Sequence, residues 1–284
     1  MSFYTSLSGL RNAQTGLNVT ANNIANAETL GFKKSRTLFS DIVAGNNPKM
    51  MMGIGSTVQS ISQNFGMGPI EQTGGALDMA VNGDGFFTVK NPVTGSLTYT
   101  RSGAFSADEQ GFVIDPNDNR VQFFAADATG VVVTDPATGK PTGSPVDLQL
   151  PANNGGAPSQ MGASPAADFA GVTVEIDGTV KVSYADGTNE TLGKVALAQF
   201  PAVNGLKQMG SSNWAVTGLS GAAEYGVPGN TGLGGMLSGS LERSNVDITE
   251  ELVGLITMQR YFQANAKGID TATQISQTVL NLRS

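Results

Sequence analysis

The sequence predicts an α+β fold: N- and C-terminal helices forming a coiled-coil-like inner domain, plus a central all-β antiparallel domain. Three observations predict it. Apolar residues recur every seven positions at both ends of the chain. Between the ends, short apolar runs alternate with turn residues at even spacing. Glycine accounts for 37 of 284 residues, near twice the usual ~7%, which suits many turns and short strands.

At the N-terminal end Phe3, Leu10, Leu17 and Ile24 recur at a spacing of seven, and Leu7, Gln14 and Ala21 form a second row offset by four. This is an a/d pattern with a narrow apolar seam. Gly9 and Gly16 interrupt it, each weakening a helix by up to about 1 kcal/mol relative to Ala. The pattern predicts a helix over 2–26, roughly 38 Å long. At the other end Asp247 is a good N-cap and Glu250 follows three residues on, as in a capping box. Ile248, Leu255, Phe262 and Ile269 then recur every seven, with Leu252, Gln259, Ala266 and Thr273 as the companion row. After Ile269 the seam steps to Ala272, Ile275, Val279 and Leu282, a stammer-like break in the heptad. The predicted helix runs over 248–282, roughly 52 Å. Either stripe alone fits ordinary core packing. Their position at opposite chain ends, and companion rows of Gln, Ala and Thr, suit close helix–helix contact instead.

The middle reads as strands near 78–81, 86–89, 97–101, 111–114, 121–125, 172–176, 180–184, 195–200 and 214–217. Asp177-Gly178 between two of them predicts a two-residue type I′ hairpin. Evenly spaced short strands point to a sandwich or barrel. Residues 45–75 and 218–239 are Gly-rich and poorly regular, and 153–165 reads as a flexible loop. The predicted organisation is therefore 1–30 with 247–284 as the helical inner domain, 31–75 and 218–246 as extended linkers, and 76–217 as the β domain, with a small loop insertion near 126–171.

Composition excludes much chemistry. The chain has neither Cys nor His, so no Ser-His-Asp or Cys-His nucleophile system, Cys/His zinc site or thiol redox chemistry can be built. A net charge of −7 argues against a nucleic-acid partner, which needs a clustered positive field. No segment reaches the ~18–20 apolar residues of a membrane helix, and the N-terminal stretch lacks the pattern of a cleaved secretory signal. Gly53-Ile54-Gly55-Ser56-Thr57 loosely resembles a phosphate loop but lacks its Gly-Lys-[Ser/Thr] ending. Asp115, Asn117 and Asn119 match the first ligands of a calcium loop. Arg120 and Ala126 then occupy the positions where such a loop needs Gly and Glu, so a turn is expected. Asn18-Val19-Thr20 and Asn189-Glu190-Thr191 fit a glycosylation triplet that is frequent by chance. Asp108-Glu109 and Glu250-Glu251 are adjacent carboxylates, not a separated acid/base pair. No catalytic residue, cofactor or metal is expected, and the weight shifts to a structural role.

Several motifs carry a family resemblance. Asn22-Asn23-Ile24-Ala25-Asn26 followed by Thr29-Leu30-Gly31-Phe32-Lys33 resembles the N-terminal signature of bacterial flagellar rod and hook proteins. The run from Leu77 through Asn82-Gly83-Asp84-Gly85 to Phe87 resembles that family's next block, and Tyr99-Thr100-Arg101-Ser102-Gly103-Ala104-Phe105 a third. Gly239-Ser240-Leu241-Glu242-Arg243-Ser244-Asn245-Val246-Asp247 and Gln259-Arg260-Tyr261-Phe262-Gln263-Ala264-Asn265-Ala266 resemble the entry to, and the middle of, its C-terminal helix. Residues 274–283 and 192–200 are more similar to the hook members than to the distal rod members. The outer domain usual in hook members is missing, since the span between Val121 and Val172 is too short for it.

The resemblance implies a subunit that polymerises into the tubular hook, the flexible joint carrying motor torque to the filament. A distal rod subunit in a straight tube and a secreted β-rich adhesin stay open as alternatives, and a two-carboxylate hydrolase is the enzymatic rival. It also implies a homopolymer, contacts with distal rod, hook cap and hook–filament junction proteins, and export through the flagellar type III apparatus to an extracellular basal body or hook location. The self-assembly residues expected on the heptad rows are Phe3, Leu7, Leu10, Leu17, Ile24, Ile248, Leu252, Leu255, Phe262, Ile269 and Val279. Both termini are expected to order on assembly, and the Gly-rich stretch 45–75 to slide or re-pack during bending.

Overall fold

In a computed structural model of the chain, residues 2–44, 52–127, 131–134, 141, 143–152, 167–230 and 232–281 are described. The expected α+β class holds: a helix at each end and a large antiparallel β-sheet domain between them. Helix α1 is Ser2–Ala25 and helix α2 is Ile248–Asn281. The predicted loop 153–165 and the last predicted helical residue, Leu282, lie outside the described residues.

The chain divides into two units. The first comprises 1–28, 33–66 and 245–284 and contains α1, α2 and a long antiparallel ribbon of β1 (Ser35–Ala44) and β2 (Met52–Gln63). Sequence reasoning places an extended linker over 31–75 and reads 45–75 as poorly regular. Within this stretch the structure pairs Ser35 with Gln63 and continues to Ala44 with Met52, with register shifts after Leu38 and Ile42. Gly53 to Thr57, the loose phosphate-loop match, lies within β2 and forms no loop. The glycines hid the strand, because Gly weakens strand propensity. Gly55 is used for a close approach: a Cβ there would lie 3.3 Å from Ser8 Cβ on α1.

The second unit comprises 29–32 and 67–244. Its main sheet runs in the order Phe169–Val174, Thr179–Tyr184, Asn189–Val195, Arg120–Ala125, Phe86–Lys90, Leu97–Thr100, Asn213–Ala215, Lys207–Gly210, and neighbours are antiparallel. Met79, Val81, Phe87, Val89, Val121 and Val195 pack in its principal core, all fully buried. Phe86 makes edge contacts with Phe200 and Trp214, and Phe200 with Tyr99, in a second, aromatic layer. Such contacts add about 1 kcal/mol each beyond their buried area. The Gly-rich stretch 218–239, expected to be irregular, supplies two short strands, Glu224–Gly226 and Gly235–Ser238.

The predicted hairpin at Asp177-Gly178 is present, but its turn is one residue longer. Val174 pairs with Val180, Gly178 N–H donates to the Glu175 carbonyl, and Glu175 N–H donates to that of Thr179. Only Gly178 has positive φ, +78°. This is a type I turn followed by a left-handed residue, not the two-residue I′ form. The same bonds recur at Asp108–Phe112, Asp115–Asn119 and Tyr184–Thr188. In the second of these Asp118 takes the left-handed position at φ 59°.

Candidate assembly surface

The two terminal helices pack against each other in antiparallel register. A Cβ on Gly9 would lie 2.5 Å from Asn265 Oδ1, one on Gly16 2.9 Å from Met258 Sδ, and one on Gly268 2.8 Å from Ser6 Oγ. Thr20 lies beside Gly254, and Asn23 Nδ2 donates to Glu251 Oε2 at 3.2 Å. As the α1 number rises, the α2 number falls by the same amount. The glycines read in the sequence as helix-weakening are where side chains of the partner helix pack onto the backbone. Their heptad spacing, seven between Gly9 and Gly16 and fourteen between Gly254 and Gly268, is the signal that could have identified this contact line.

Of the eleven residues expected on the assembly seam, ten have described side chains. Leu7, Leu10, Leu17, Ile24, Leu255, Phe262 and Ile269 are half-buried. Phe3, Ile248 and Leu252 are exposed, at 39%, 44% and 45%. Val279 belongs to α2, and its side chain lies outside what is described. Within one chain, then, these rows keep apolar surface that the α1–α2 contact does not cover.

Polar clamps fix the helices to the ribbon. Asn23, 1% exposed, donates from Nδ2 to the Ser35 carbonyl and accepts from Ser35 N–H, both at 2.9 Å. Asn245 Oδ1 accepts from Lys34 N–H at 2.7 Å, while its Nδ2 donates to the carbonyls of Asn64 and Gly66. Lys33 is fully buried and donates from Nζ to the Gly66 carbonyl at 2.9 Å. Asp247 caps α2 as expected, with Oδ1 accepting from Thr249 and Glu250 N–H. Glu250 does not close a capping box; it pairs with Lys34 Nζ at 2.9 Å. A groove of about 820 Å³ opens among α1, both ribbon strands and the start of α2, lined by Gly16, Thr20, Ser35, Gln63, Glu251 and Met258.

In the β unit one buried ion pair ties distant segments. Arg101 Nη1 lies 3.4 Å from Glu242 Oε2, with side chains 3% and 0% exposed. Glu242 Oε1 accepts from Gly68 N–H at 2.8 Å, and its carbonyl accepts from Gly31 N–H at 2.8 Å. Burial pushes the Arg101 guanidinium below its ordinary range, and Glu242 and then Asp84 work against that. Gly31 sits at φ 65°, where a Cβ would meet Ser102 N at 2.5 Å, so only glycine fits. The calcium-loop match is a turn, as expected: Asp115 Oδ1 accepts from Asn117 and Asn119 N–H, and Oδ2 from Asn119 Nδ2. Among the described residues no group of three acidic side chains is placed to hold a metal. No helix among them is long and apolar enough to cross a membrane.

Three segments match known families. Residues 3–33 match the flagella basal body rod protein family, residues 80–182 the flagellar hook protein FlgE/F/G D1 domain, and residues 237–282 the flagellar basal body rod FlgEFG protein C-terminal family. The chain is 33% identical over 298 residues to the flagellar basal-body rod protein FlgG of Bacillus subtilis, covering 99% of this chain and 98% of that one. It is 30% identical over 295 residues to FlgG of Caulobacter vibrioides, with 99% and 98% covered. With the flagellar hook protein FlgE of Salmonella typhimurium it shares 28% identity over 409 aligned residues, covering both chains in full.

Proposed function

The chain belongs to the flagellar rod and hook protein family, and from that premise we propose that it is a non-enzymatic structural subunit that polymerises into the tubular hook and transmits torque from rod to filament. The observation that carries this reading is the antiparallel pair made by the two chain ends, which leaves apolar heptad residues uncovered. A contact that joins different faces of successive copies and does not close yields a helical polymer. In the tube the helix pairs form the inner lining, the β units lie outside, and the eleven seam residues are buried between copies. Distal rod, hook cap and junction proteins are its neighbours at the two ends, and the flagellar type III apparatus exports it.

The hook assignment is supported by residues 274–283 and 192–200, which resemble hook members. A second reading, a subunit of the straight distal rod, is favoured by length. The FlgG relative aligns over 298 residues, whereas the hook relative needs 409 against a chain of 284. Electron micrographs of purified polymer separate the two: hook subunits give curved tubes, rod subunits straight ones. Leu255→Asp or Phe262→Asp places a charge in the seam, so polymerisation is lost while the β unit stays folded. Normal tubes from either variant contradict the seam assignment.

A further inference from the structure

Thr29–Phe32 packs with the β unit, while the chain on both sides of it belongs to the helical unit. These four residues form a strap. Gly31 N–H donates to the Glu242 carbonyl at 2.8 Å, the Leu30 carbonyl accepts from Ser212 Oγ at 2.9 Å, and Phe32 is buried. Ser212 lies at the tip of the hairpin between strands Lys207–Gly210 and Asn213–Ala215. Gly210 pairs with Asn213, which leaves Ser211 and Ser212 as the two loop residues, with φ of 50° and 56°. This is the two-residue I′ turn, which favours Asn, Asp or Gly because both positions are left-handed. Serine sits there against its backbone preference, and such strain persists only where the surroundings hold it. At Ser212 they do. The residue is buried, and Thr100 Oγ1 donates to its carbonyl at 2.9 Å. Glycine would suit the turn better but has no hydroxyl to offer Leu30. Ser211 shares the turn and is exposed, so it supplies a matched control.

We propose that Ser212 is a catch: a positioning residue kept at a strained site because its hydroxyl holds the strap, and with it the chain just after α1, on the β unit. The strap stays seated while the terminal helices are frayed in the monomer. Helix α1 is then tethered at one fixed point and orders from there on assembly. That second step rests on the polymer reading; the catch itself does not.

Hydrogen exchange of the full-length monomer, read by mass spectrometry, tests both. Ser211→Gly relieves the turn and leaves the catch, whereas Ser212→Gly relieves the turn and removes it. Amides of residues 30–32 are expected to exchange about tenfold faster in Ser212→Gly than in wild type and at the wild-type rate in Ser211→Gly. Strands Phe86–Lys90 and Arg120–Ala125 keep their rates in both. The lag before tubes appear is expected to lengthen severalfold for Ser212→Gly alone. If that variant does not fold, Ser212→Ala, which keeps the backbone preference of the wild type, carries the same comparison with Ser211→Ala. Wild-type exchange at 30–32 without the hydroxyl, or a rise spread evenly over the β unit, overturns the catch. A loosened strap with an unchanged lag overturns the tethering step and upholds the catch. Wild-type protein that never polymerises overturns the polymer reading, and the exchange comparison still decides the catch.

Discussion

Asn23 illustrates how one side chain joins three elements. It sits on α1, holds the backbone of Ser35 in β1 at both donor and acceptor, and reaches Glu251 on α2. Asn23→Ala leaves these buried groups unpaired, so the helical unit loses about 2 kcal/mol, read as a shift in the urea midpoint. Glu242→Ala strands the Arg101 guanidinium in the β unit and costs about 3–5 kcal/mol, read in the same way. Both residues stand in motifs quoted from the sequence. Their presence was legible there, but their partners were not, because Arg101 and Glu242 lie 141 positions apart and no local pattern encodes such a pair. The β unit also responds to acid. Burial disfavours the charged form of Asp177, but Lys194 Nζ at 2.7 Å and then Thr179 outweigh it and hold the carboxyl at about 2, against 3.8 when unperturbed. Stability from this pair is present above about pH 4 and is lost as pH falls through about 2. Asp177→Asn removes that component, so the acid-unfolding curve flattens between those values.

At the scale of elements, the helices were legible almost to the residue because heptad rows are a long-range periodic signal. The line along which they touch was not, because small residues register in sequence as weak helix formers and only in space as points of close approach. Gly16→Val tests this. A Cβ at Gly16 would lie 2.9 Å from Met258 Sδ and 3.3 Å from its Cγ, and a branched side chain there costs about 1–3 kcal/mol. The variant is expected to lower the thermal midpoint of the helical unit, and an unchanged midpoint contradicts the close contact. The β1–β2 ribbon shows the opposite failure. Its glycines and serines conceal a paired strand whose register is set by backbone hydrogen bonds rather than by a buried apolar face. The repeated turns were legible as turns from Asp, Asn and Gly, but their length was not. Both turn types use the same residues and differ by one position of positive φ.

For the whole molecule, the α+β class and the family were legible because the blocks that resemble the family lie in both helices and the first strands of the β unit. That the chain is a short member of the family was legible from its length. The helical unit is built from three separated stretches of chain, the two ends and the ribbon between 33 and 66. A chain whose terminal helices keep Phe3, Leu252 and Ile256 exposed has apolar surface to bury by association. Helical content by circular dichroism is therefore expected to rise from monomer to polymer as frayed ends become packed, and equal content contradicts that ordering. The most direct measurement is electron cryomicroscopy of the full-length chain across a rising concentration series. The account predicts tubes in which antiparallel α1–α2 pairs line the inside and β units form the outer layer. Particles that remain single chains at every concentration, with both terminal helices already rigid, would contradict it.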